Sequence, residues 1–142
     1  MGLGAGLLLT TAALAFVWTQ VLVIEQRDVA VPAVTASPGA VVRAYLEAVD
    51  AHDCKTAAAL WADASDGVER SCPAAASVTD IQVTEPPLQV DARTTYVPVQ
   101  FNWHDRWLTS EPTGFYGSTT WGYDLEREGL DGPWRIVGQG VG

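Results

Sequence analysis

RTTYVPVQFNWH, residues 93–104, decides how this chain reads. Apolar and polar side chains alternate along it. Val97, Val99, Phe101 and Trp103 share one face, and Tyr96, Gln100, Asn102 and His104 share the other. A period of two is the signature of a strand with one face in the core. Pro98 has no backbone N–H to give a ladder, which predicts an edge position or a bulge there. Upstream, Val78 to Thr84 reads as another strand, ended by Pro86-Pro87. Downstream, a Gly-, Ser- and Thr-rich stretch from Thr109 to Thr120 leads to two more strands, Trp121–Arg127 and Pro133–Gln139. Glu128–Gly132 joins those two, and its Asp131-Gly132 pair is a turn signal.

Before Pro73 the period is 3.6. In SPGAVVRAYLEAVDAHD (residues 37–53) Val41, Val42, Tyr45, Leu46 and Val49 form one apolar stripe, with Arg43, Glu47 and Asp50 outside it. Ser37 is the expected N-cap, and Pro38 at the first helical position loses nothing by lacking an N–H. Asp53 caps a second short helix over CKTAAALW, rich in the strongest helix former. A third turn through Asp66–Ser71 brings Cys72 back towards Cys54. Helices first and strands after predict an α+β fold with the helices on one face of an antiparallel sheet.

Outside that body lies a different kind of sequence. The chain has 142 residues and a net charge of −9, yet its first 24 residues carry no charged side chain. Leu3–Ile24 (LGAGLLLTTAALAFVWTQVLVI) reaches about 33 Å as a helix, enough to span a hydrocarbon core of about 30 Å. Two readings stand. An uncleaved signal anchor fits the length of the run and the lack of Lys or Arg at Met1-Gly2. A cleaved signal peptide has a shorter apolar run behind a basic start, and the first small-residue site here, Val34-Thr35-Ala36, lies far downstream. Residues 25–36 (EQRDVAVPAVTA) read as an extended tether, which leaves 37–142 as the single domain. A body this acidic is a poor partner for nucleic acid, because phosphate binding depends on Lys and Arg.

Cys54 and Cys72 are the only cysteines. In an oxidising compartment they predict one disulfide, worth roughly 3 kcal/mol for a loop of about 18 residues. In the cytosol they are two buried thiols. The spacing supports neither redox catalysis nor a structural zinc site.

With its helix–short helix opening and its closing hairpin WGYDLEREG…PWRIVGQG, the stretch 37–142 resembles the nuclear transport factor 2-like superfamily. It is most similar to small extracytoplasmic members from actinobacteria. The resemblance implies a curved sheet wrapped round a long helix, forming a cone whose mouth takes a small molecule. It also implies that the sheet serves for homodimers, and it admits accessory roles in cell-envelope assemblies. Fold alone does not choose among these.

Enzymes on this fold place an Asp or His base and Tyr donors inside the cone. No residue matches those enzymes' catalytic motifs one for one; the candidates by position are Asp105, on the face of Trp103 if the strand continues, and Tyr123, between Trp121 and Leu125. A carboxylate desolvated in that position has its pKa raised into a useful range. The plainer reading makes Asp105 a solvated strand-end residue beside Arg106. Asp50, His52 and Asp53 are better explained by capping than by metal, and His104-Asp105 has no further ligand, so neither metal nor cofactor is expected. Trp103, Trp107 and Trp121, with Phe115 and Tyr116, form an aromatic set that fills a core or lines a contact patch. The expectation is a membrane-tethered extracytoplasmic binding or scaffold domain without catalytic activity. A protein or a small apolar ligand is its expected partner. The alternative is a SnoaL-like lyase, cyclase or isomerase.

Overall fold

The computed structural model describes residues 25–63, 68–106 and 117–140, with backbone alone at 69 and 70. The apolar leader, 1–24, therefore lies outside the described residues. Among those described, no helix is long and apolar enough to cross a membrane. The fold is α+β, three helices packed on an antiparallel sheet: α1 (Pro38–Asp50), α2 (Cys54–Ala59), α3 (Val68–Ala74), β1 (Ala75–Val83), β2 (Leu88–Gln89), β3 (Thr94–Asp105), β4 (Gly117–Arg127) and β5 (Trp134–Gly140).

Helix α1 forms as its sequence requires. The Ser37 hydroxyl accepts from the backbone N–H of Ala40 at 3.2 Å, and Pro38 opens the first turn. The stripe Val41, Val42, Tyr45, Leu46 and Val49 is buried throughout. Each such side chain contributes about 1.5–3 kcal/mol by leaving water. The helix ends in a Schellman motif: His52 N–H donates to the Val49 carbonyl and Asp53 N–H to that of Ala48. Glycine normally fills the left-handed position of that motif, whereas here His52 occupies it at φ 54°.

The sheet runs β1-β3-β4-β5, with β2 paired to β3 beyond the end of β1. Hairpin β4–β5 turns where the sequence predicts. Gly129 takes φ +71°, and a Cβ on Gly132 would collide with the Glu128 carbonyl oxygen. Arg127 closes this hairpin by lying 4.5 Å over the Trp134 ring. The outer edge of β5 is covered by residues 60–62. Ile136 N–H donates to Leu60, and Ala62 N–H donates to Ile136.

Three expectations need correction. Pro98 lies on the central strand β3, between β1 and β4, not on an edge. Its carbonyl accepts from Thr84 N–H at 2.9 Å, and facing antiparallel residues exchange two bonds, so only one is missing. That loss falls where the chain leaves β1 through Glu85-Pro86-Pro87 and the pairing lapses in any case. Strand β1 begins at Ala75, not Val78, because Pro73 lies in the last turn of a true helix and extended backbone follows at once. The tether is not free along its length. Arg27 N–H donates to the Ala51 carbonyl, and Val29 N–H donates to Asp53. Its side chains join in, with Val29 packed against the core and Arg27 paired to Asp50 at 2.8 Å.

Candidate functional site

The space between α1 and the sheet is the interior where the resemblance places a ligand. Val97, Val99, Phe101 and Trp103 of β3 point into it, all at most 2% exposed. From β4 come Tyr123 and Leu125, with Trp121 partly buried beside them. Tyr45 reaches in from α1. Its ring meets Tyr123 at 5.6 Å and Trp61 at 5.8 Å, both edge-to-face, the arrangement ring quadrupoles prefer. The Tyr45 hydroxyl shares a 3.1 Å hydrogen bond with Ser71, which satisfies both in a buried setting. These side chains occupy the interior.

Two phenols at the centre are chemically quiet. Burial raises the Tyr123 pKa well above its ordinary 10.0, and the neighbouring Tyr45 phenol adds to the effect. Burial also raises Tyr45, against the pull of its bond to Ser71. Both stay protonated at physiological pH and offer only neutral O–H groups.

Asp105 lies elsewhere. It is the last residue of β3 and half-exposed, and its Oδ1 accepts from Trp103 Nε1 at 2.8 Å. Strand register separates it from Tyr123. Tyr123 faces Val97, and Asp105 is eight residues further on (105 − 97 = 8), about 26 Å along the strand. Trp103 and Trp121 share the core face, but Phe101 and Thr119 lie between their register positions. Trp107, Phe115 and Tyr116 lie outside the described residues. Among the described residues, no three His, Cys, Asp or Glu side chains converge as metal ligands.

Cys54 and Cys72 are joined as a disulfide, with Cα atoms 5.7 Å apart. The bond ties the first residue of α2 to the last turn of α3. Around it the acidic residues at the end of α1 have structural work that the sequence shows only in part. Capping by Asp53 is legible, and its Oδ1 accepts from Thr56 N–H at 3.0 Å. Its other oxygen holds Val29 at 3.0 Å, a contact with no local sequence signal. Asp50 accepts from Val78 N–H through one oxygen and from Arg27 through the other. Beside them lies a groove of about 320 Å³, lined by Arg27, Asp28, Val29, Glu47, Asp50 and Val78. His52 has its pKa lowered, first by burial and then by nearby Arg106, so it favours the neutral ring.

Asp53 carries a testable pH dependence. Hydrogen bonds from Val29, then from Thr56, hold its pKa below the ordinary 3.8. A depressed folded pKa means that this stability is complete above the unfolded value of about 3.9 and lost as pH falls through the folded one. Asp53→Ala is expected to cost about 1 kcal/mol for the lost cap. Asp53→Asn keeps the cap but turns an amide N–H towards the Val29 N–H, removing only the bond at Val29. Thermal unfolding followed from neutrality into acid checks both, and either variant flattens the acid limb.

Compared with known family models, curated proteins and solved structures, the chain matches none.

Proposed function

We propose that this protein is a non-catalytic binding or scaffold domain, tethered to a membrane by residues 3–24 and placed on its extracytoplasmic side. On this reading the helices and sheet are a nuclear transport factor 2-like cone whose interior is structural, and the protein is an accessory part of a cell-envelope assembly. The observation that carries it is the interior: Tyr45, Trp61 and Tyr123 pack ring against ring between α1 and the sheet, and Trp103 is buried further along β3, where a ligand cone would need open space. Asp105 adds weight, since its carboxylate is engaged by the Trp103 indole at the end of the strand. The Cys54–Cys72 bond supports the oxidising compartment, where such bonds persist.

A small apolar dye tests the filled interior. Titrated into the full chain in lipid nanodiscs, a naphthalene sulfonate is expected to give the signal of empty nanodiscs. Saturable uptake at one site per chain, abolished by enlarging an interior residue such as Val99→Phe, would return the ligand-binding reading.

A further inference from the structure

The strap fixes how the domain sits on its membrane. The apolar run ends at Ile24, and Arg27 is already bonded to the Ala51 carbonyl at 3.0 Å. Between them stand Glu25 and Gln26. Three residue steps span at most about 11 Å, whereas a free tether from Ile24 to Ala36 would reach roughly 40 Å. From Arg27 the strap runs back along α1 to the Ser37 cap, held by Val29 N–H on Asp53 and by the Thr56 hydroxyl on the Val29 carbonyl. The first fixed point of the domain is therefore the corner where α1 ends and α2 begins.

We infer that this α1–α2 corner faces the lipid bilayer at close range, with the β2–β3 and β4–β5 turns pointing away. This rests on the reading of residues 3–24 as a retained anchor. Asp50 joins the corner to Val78 on β1, and Arg106 N–H, just past β3, donates to Ala74, so this end of the sheet goes with the corner. The other end carries the turns at 90–93 and 128–132, bound to each other through Arg127 N–H on the Arg93 carbonyl. Charge does not set the orientation. Arg27 is paired with Asp50, and Asp28, Asp53 and Asp105 sit among Lys55 and Arg106, so among the described residues the corner has no basic excess to draw anionic headgroups. The short span does, and the contact is insensitive to salt.

Lys55 is the only lysine, is exposed and lies on the corner, so an amine-reactive dye reports from it. The paired variant Lys55→Arg with Leu130→Lys moves the dye to the exposed β4–β5 turn, and Lys55→Arg alone gives the amino-terminal background. The full chain in phosphatidylcholine–phosphatidylglycerol nanodiscs is probed with lipid-borne quenchers. Quenching at Lys55 is expected to exceed that at Leu130→Lys several-fold, unchanged by high salt. Equal quenching at both positions in a membrane-bound chain overturns the orientation and leaves the anchor standing. A chain recovered from cells in the soluble fraction without residues 1–24 overturns both.

Discussion

Removing the Cys54–Cys72 bond, by Cys→Ala at both positions, lowers the free energy of unfolding by about 3 kcal/mol. The loss is set by the loop the bond closes, with 18 residues of separation, since an uncrosslinked unfolded chain has that much more freedom to lose. The loop is no ornament on the fold. It contains α2 and the segment 60–62 that covers the β5 edge, and Cys72 is fully buried against the core. A stretch that closes itself in the folded state must be gathered from a wider ensemble once the bond is gone. Urea unfolding reads the change as a midpoint lower by roughly 1–3 M, given slopes typical of small domains. Two alanines are preferable to serines, because a hydroxyl at Cys72 adds the cost of a buried polar group. A midpoint that does not move would show that the helices hold this corner without the bond.

Trp103→Ala is the second large effect, expected at about 3–5 kcal/mol. Trp103 is 2% exposed, lies 6.2 Å from the Phe101 ring and is the bulkiest of the most deeply buried side chains. Its truncation removes a ring's worth of apolar burial and leaves a cavity that the flanking strands, fixed by their ladders, cannot close. The polar end separates from the apolar one by mutation. Asp105→Asn keeps an acceptor for Nε1 and is expected to cost under about 1 kcal/mol, while Asp105→Ala strips this acceptor from a buried indole and costs about 1–3 kcal/mol. A catalytic Asp105 predicts another pattern: little change in stability for either variant. Chemical denaturation followed by far-ultraviolet circular dichroism measures all three. A Trp103→Ala penalty below about 1 kcal/mol would contradict the packed interior.

How far the sequence could be read follows from the range of the interactions. The stripe of α1, the Ser37 and Asp53 caps and the inward face of β3 are all set by periodicity and near neighbours, and they stand where the residues place them. The cysteine pair was legible because two cysteines admit one bond. Pro98 reads as an edge or a bulge because a single strand does not show what lies beside it. Its missing donor is tolerated at the centre of the sheet only because its partner strand breaks off opposite it, a fact about residues 84–87. The docking of the strap was illegible for a similar reason. EQRDVAVPAVTA has no period, and what orders it is a spare carboxylate oxygen of Asp53 and a carbonyl at the end of α1, both more than twenty residues away. Face parity puts Asp105 with Trp103, but only register shows that Tyr123 faces Val97, far down the same strand.

Intact mass of the chain from the membrane fraction, never exposed to reductant, tests the proposed retained stem and the oxidising space in which we place the cross-linked domain. The predicted result is a species that keeps residues 1–24, weighs two hydrogens less than the dithiol chain and takes up no alkylating agent. A soluble species lacking those residues, or one that adds two alkyl groups without reduction, contradicts it.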